Sequence, residues 1–241
     1  MLLWLQLERE SWPSFCALPY TYTMNGSVLE STTVEKDLGV HVDNKLNFDS
    51  HVTESVKKAN RMVGMLSRFL VIKDKEVMIP LYKSLVRPIL EYGNTIWYPS
   101  LRKNANAVEK VQRRFTKRVK GMNDFDYNTR LKLLKLPSLE YRRIRGDMIE
   151  TYKILHGLYD PSSTNNLLQI NHTSSTRGHP LKLIKSSVHT NLFKNFFTNR
   201  VINNWNALPE HVVLSGSLNR FKTSLDNYWA NVQYETNIYI K

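Results

Sequence analysis

The sequence predicts a mainly α fold: a small N-terminal β-hairpin and strand element, then a helical bundle, then a C-terminal helical segment. Three observations predict it. Apolar residues recur at helical spacing over most of positions 49–157 and again over 189–231. A period of two occurs only before position 48, where Asn25-Gly26 sits between alternating apolar and polar residues. Positions 158–188 have neither period and are rich in Ser, Thr, Asn and Pro, as expected of an irregular connector.

In chain order, positions 1–20 form a divergent start with Trp4, Trp12, Pro13 and Pro19 and no period. Positions 21–48 form a β unit. Thr21–Glu30 is a hairpin, because both positions of a two-residue Asn-Gly turn need φ > 0. Lys36–Val42 reads as a further strand with Leu38, Val40 and Val42 on one face. The helical unit spans 49–157. Asp49 or Ser50 can cap a helix to about Leu70, with Val52, Val56, Ala59, Val63 and Leu66 inward and Lys57, Lys58 and Arg61 outward. Asp74 caps a second helix to about Val86, kinked or restarted at Pro80. Arg87-Pro88 interrupts it, and Ile89–Tyr92 continues it briefly before Gly93. A basic helix follows from about Asn104 to Lys120, ended by Gly121. Asn128–Leu134 is a short helix. Ser138 caps a long one to His156, with Tyr141, Ile144, Met148, Tyr152 and Leu155 inward and Arg142, Arg143 and Lys153 on the far side. In the C-terminal segment, Leu192–Leu208 carries Phe193, Phe196, Phe197, Val201 and Trp205. Ser217 caps Leu218–Trp229.

Charge narrows the partner. The chain has 34 Lys+Arg against 21 Asp+Glu, a net +13. Positions 101–157 hold 15 basic and 6 acidic residues, so +9 of the +13 sits there. In the basic helix, Lys110, Arg113, Arg114, Lys117 and Arg118 fall at i, i+3, i+4, i+7 and i+8 and line one face, while Val108, Val111, Phe115 and Val119 share another. A regular array of cations suits a phosphate backbone better than a small substrate, although a charge run also serves simply as a solvated face. This face is the first choice for nucleic-acid contact. Lys57, Lys58, Arg61, Arg142 and Arg143 are the second.

Little in the chain points to catalysis or ligand chemistry. No GxxxxGK[ST], GxGxxG, HExxH or GxSxG motif is present. Cys16 is the single cysteine, which excludes an intramolecular disulfide and a cysteine-based zinc site and fits a reducing compartment. No apolar run approaches the ~20 residues of a membrane span. The seven histidines are scattered, with His172 and His179 in the connector. Asp124 and Asp126 are the best carboxylate pair for two-metal chemistry, but turn formation and helix capping account for them. No cofactor, metal or membrane partner is expected. The aromatics of the last third fall at helical spacing and read as core.

Several blocks resemble the reverse transcriptases of jockey-type non-LTR retrotransposons. They are Glu35-Lys36-Asp37-Leu38-Gly39-Val40-His41-Val42-Asp43 with Leu46-Asn47-Phe48-Asp49-Ser50-His51-Val52 after it, Leu81–Gly93 with its Arg87-Pro88-Ile89-Leu90-Glu91-Tyr92, Val108–Thr116, Tyr141–Ile149 and Arg200–Pro209. The resemblance runs from about Tyr20 to Trp229. It implies the end of a polymerase palm over 21–48, a helical thumb-like domain over 49–157 and the closing segment over 189–231. The family's catalytic aromatic-x-Asp-Asp motif has no counterpart, since the chain contains no Asp-Asp pair. The resemblance therefore implies a truncated, non-catalytic fragment of an RNA-directed DNA polymerase that binds RNA or an RNA–DNA duplex without sequence preference. A polymerase subunit completed by a palm-containing chain and a relic without activity are the competing readings.

Overall fold

Two tight turns begin the described part of the chain, which a computed structural model describes at residues 23–30, 32–164, 167–171, 178–185, 187 and 190–236. The expectations for positions 1–22 and for His172 lie outside these residues. Strands β1 (Thr23–Met24) and β2 (Ser27–Val28) pair antiparallel around Asn25 (φ 50°) and Gly26 (φ 79°), the conformation the Asn-Gly turn demands.

The second β element corrects the single strand expected over Lys36–Val42. It is a hairpin, β3 (Val34–Asp37) and β4 (Val40–Asp43), turning at Leu38 (φ 44°) and Gly39 (φ 86°). Leu38 is thrown outward at 70 % exposure while Val40 is buried. Leucine carries no turn signal, and the Tyr92 hydroxyl supplies what the local sequence lacks by donating to the Leu38 carbonyl at 2.8 Å. Asp43 then organises the exit loop, its carboxylate accepting from the backbone N–H groups of Lys45, Asn47 and Phe48.

Helix α1 (Asp49–Phe69) buries Val52, Ala59, Val63 and Leu66 as expected. Its cap is Phe48, in the left-handed region (φ 57°) and without a side-chain cap. Asp49 lies inside the first turn and is bonded to Lys103 and Asn104. The next element differs from the interrupted helix expected. α2 (Lys75–Leu81), a π-helical turn (Tyr82–Val86) and α3 (Arg87–Glu91) run on without a break. The wider turn accommodates the chain between Pro80 and Pro88, each of which lacks an N–H to donate.

The basic helix, α4, spans Arg102–Thr116, two residues earlier at its start than expected; positions 117–121 continue as turns to Gly121 (φ 75°). α5 (Tyr127–Leu133) is capped by Asp126, and α6 (Leu139–Leu155) by Ser138. The expected connector holds one turn of helix, α7 (Pro161–Thr164), and a lone bridge between Ile170 and Leu183. His179 is buried there, its Nε2 3.1 Å from the Trp205 carbonyl oxygen. The single helix expected over Leu192–Leu208 is two, α8 (Asn191–Lys194) and α9 (Phe197–Asn206), broken at Phe196, whose backbone is extended. α10 (Glu210–Val213) and α11 (Leu218–Tyr228, capped by Ser217) complete the order.

Among the described residues, buried side chains form two clusters. The first contains Val40, Val63, Tyr82, Trp97, Val108, Phe115 and Leu139; the second contains Tyr141, Met148, Trp205, Phe221 and Trp229. Helix α6 joins them, contributing Leu139 to one and Tyr141 onward to the other. Among the described residues no helix is long and apolar enough to cross a membrane.

Candidate nucleic-acid interface

α4 owes its position to its buried side. Val108, Val111 and Phe115 are fully or nearly fully buried, with Phe115 stacked on Tyr82 at 4.5 Å between ring centroids. Two polar residues on this side are tied down. Gln112 accepts from the Tyr82 hydroxyl at 2.7 Å and donates to the Pro137 carbonyl. Glu109, the one acid in α4, accepts from the Tyr127 hydroxyl and the Leu139 N–H. Burial pushes the Glu109 carboxyl up, and burial beside Glu109 pushes the Tyr127 phenol up as well.

α1 and α4 run parallel. Three links cross their seam: Asp49 to Lys103 and Asn104 near the start, Asn60 to Arg114 (2.9 Å) midway, and the Val63 carbonyl and Ser67 hydroxyl to Arg118 at the end. The partners stay 51–55 residues apart throughout, so the helices advance together. At about 100° per residue, Lys57, Arg61 and Arg68 lie on the solvent side of α1, opposite Val56 and Val63. Lys110, Arg113 and Lys117 lie on the solvent side of α4, opposite Val111 and Phe115. Two rows of cations therefore flank one seam, separated by the roughly 8–10 Å between packed helices. Successive cations at i and i+7, such as Lys110 and Lys117, are about 10 Å apart along each row.

The expected residues thus divide. Lys57, Lys58, Arg61, Lys110, Arg113, Arg114 and Lys117 are exposed. Lys58 points further from the seam than Lys57 and Arg61, and Lys57 is held by Glu54 at 2.8 Å. Arg113 lies over the Tyr127 ring at 4.8 Å. Arg118 is half-buried and pins the seam. Arg142 is a bidentate partner of Glu91, which raises the guanidinium's pKa. Arg143 is buried. Neither joins the two rows. Arg68, seven residues after Arg61, does, and its spacing is the signal that identifies it. Arg130 resembles a surface cation in sequence but is buried, bonding the Phe125 carbonyl and Thr116.

The carboxylate pair has a structural role at one member. Asp126 accepts from the N–H groups of Asn128 and Thr129 and from the Thr129 hydroxyl, which holds its carboxyl below the ordinary range. Among the described residues no three His, Cys, Asp or Glu side chains come together.

Part of the chain is similar to the RNA-directed DNA polymerase from mobile element jockey. The match in Drosophila melanogaster is 26 % identical over 121 residues, which is 47 % of this chain and 13 % of the polymerase. That in Drosophila funebris is 26 % identical over 102 residues, 41 % of this chain and 11 % of the polymerase. The similarity is to mobile-element polymerases. It is distant, and the chain spans a small fraction of their length. An uncharacterized protein of Caenorhabditis elegans is 25 % identical over 160 residues, 64 % of this chain and 81 % of that protein. No family model and no solved structure matches the chain.

Proposed function

We propose that the chain is a non-catalytic relative of mobile-element reverse transcriptases that holds RNA or an RNA–DNA duplex on the paired cation rows of α1 and α4. In this reading positions 21–48 correspond to the end of a polymerase palm and 49–157 to a thumb-like domain. The observation that carries it is the parallel seam. It sets Lys57, Arg61 and Arg68 beside Lys110, Arg113 and Lys117, and the one acid of α4 is turned inward. Contacts of this kind go to phosphates, which carry no sequence information directly.

The test is fluorescence-anisotropy binding of a labelled RNA–DNA duplex across a salt series. Wild type is compared with a Lys57/Arg61/Lys110/Lys117→Ala variant, whose substitutions spare the seam. Each phosphate contact contributes about 0.7–0.9 to the salt slope. The variant is expected to lose a slope of about 2–4 and to bind at least tenfold more weakly at low salt. Wild-type affinity in a folded variant would sink the reading.

A second reading, a subunit completed by a palm-containing polymerase chain, is favoured by one observation: Met24, Val28, Leu29, Val34 and Leu38 leave an apolar surface exposed on the two hairpins. Metal-dependent nucleotide incorporation that requires both chains together would select it.

A further inference from the structure

Arg143 stands apart from the other cations. It is 4 % exposed, and its Nε is buried with no hydrogen-bond partner. A guanidinium brings five N–H donors and no acceptor, and a buried one needs acceptors around it. Among the described residues, none of the hydrogen bonds or ion pairs that fix its neighbours Arg142 and Arg145 has a counterpart at Arg143, although its charge acts on the buried Glu109 and Asp147 carboxyls. Beside it lies a cavity of about 370 Å³. Its wall includes Arg102, Asn106 and Arg113 from α4, Arg143 from α6, and Tyr98 and Asn195 from the flanking loops.

Glu109 and Glu140 also line the space, so among the described lining residues three guanidinium groups stand with two carboxylates, and Arg102 and Glu140 each make a further interaction. Glu109 is already turned to Tyr127 and Leu139. The volume lies within the roughly 300–1,000 Å³ of small-ligand sites. Guanidinium groups match the oxygens of a phosphate in pairs.

We infer that this cavity between α4 and α6 is a binding site for a phosphate group, with Arg143 as its buried anchor and Arg102 and Arg113 at its rim. The phosphate is that of a free nucleotide or of the end of a nucleic-acid strand, since Arg113 borders both the cavity and the exposed cation rows. The site rests on Arg143 rather than on Lys57, Arg61, Lys110 or Lys117, so it stands or falls separately from the duplex-binding reading.

The test is thermal unfolding and calorimetric titration of the full chain with inorganic phosphate, against chloride at equal ionic strength. Wild type is expected to show saturable binding and a rise in Tm that chloride does not give. Arg143→Met, which keeps the side chain's length and removes its donors, is expected to bind at least tenfold more weakly. An Arg102/Arg113→Ala variant, altered only at the rim, is expected to bind several-fold more weakly and keeps the test decisive should Arg143→Met not fold. The Lys57/Arg61/Lys110/Lys117→Ala variant is expected to bind phosphate as wild type does. Tighter binding of a 5′-phosphorylated than a 5′-hydroxyl oligonucleotide would identify the strand end as the source. Equal binding of those two, together with saturable binding of a nucleoside monophosphate, would identify the free nucleotide. Absence of saturable phosphate binding by folded wild type, or equal binding by wild type and the Arg143 or rim variants, would overturn the inference.

Discussion

At the scale of single residues, burial decides what each charge does. His51 is enclosed by His41, Ser55 and Trp97, accepts the His41 backbone N–H at Nδ1, and has its pKa lowered from the ordinary 6.5 to about 4 by burial, with His41 and Lys58 adding to the effect. The unfolded chain therefore binds a proton across the window in which the folded chain refuses it. Stability from this site is complete above about pH 6.5 and is lost as pH falls towards 4. Urea unfolding at pH 7.5 and pH 5 is expected to show a loss of about 2 kcal/mol that a His51→Phe variant largely removes. Arg200 and Asp147 form the opposite case, a buried pair with two hydrogen bonds at 2.8 and 2.9 Å. Burial pushes the Asp147 carboxyl up and Arg200 pulls it back down. Arg200→Ala takes away that carboxylate's hydrogen-bonded partner and is expected to cost about 3–5 kcal/mol in denaturant unfolding. None of this is readable from spacing. Arg142 and Arg143 are adjacent and share a helical face with neither of their fates, because Glu91 lies 51 residues from Arg142 and the wall around Arg143 comes from distant segments.

At the scale of elements, the pattern was legible where local chemistry and packing agree. The Asn25-Gly26 turn, the apolar faces of α1 and α4, and the Ser138 and Ser217 caps follow from residues within a few positions of one another. Ser217→Ala is expected to lower stability by about 1 kcal/mol, since the hydroxyl accepts the Arg220 N–H. Phe115→Ala, which empties a fully buried site against Tyr82, is expected to cost about 3–5 kcal/mol. Both are read as shifts in the chemical-denaturation midpoint. Legibility failed where a distant contact overrides the local signal. The turn at Leu38-Gly39 is held by Tyr92, and Gly93, at φ 64°, lets Val40 and Trp97 close in: a Cβ there would meet the Val40 Cγ2 at 3.3 Å. The continuity of α2 and α3 likewise depends on a π-helical turn that no periodicity announces.

At the scale of the molecule, the two clusters are stitched together by long-range bonds. Arg200 reaches from α9 to the Thr95 carbonyl, the Ser138 N–H to the Gln233 carbonyl, and Arg142 to Glu91. With α6 running through both, equilibrium unfolding is expected to be a single transition, with coincident far-UV and near-UV circular dichroism curves. Two resolved transitions would show that the clusters are separate units. Hydrogen exchange is expected to be fastest in β1–β2, whose described residues are all exposed, and slowest in α4 and α6.

The parallel course of α1 and α4 has an electrostatic consequence of its own. Parallel helices stack their dipoles in the same sense, so two C-terminal ends, each worth about half a negative charge, lie side by side. Arg68, Lys117 and Arg118 stand at that shared end, and Asp49 stands at the shared N-terminal end of opposite sign. Part of the positive charge is thus spoken for by the protein's own backbone, and charge reversal at Lys117 is expected to cost about 0.3–1 kcal/mol of stability with no nucleic acid present. Of the cations nearer the middle of the helices, Lys57 is paired with Glu54, and Arg61 and Lys110 lie beyond the reach of either helix end.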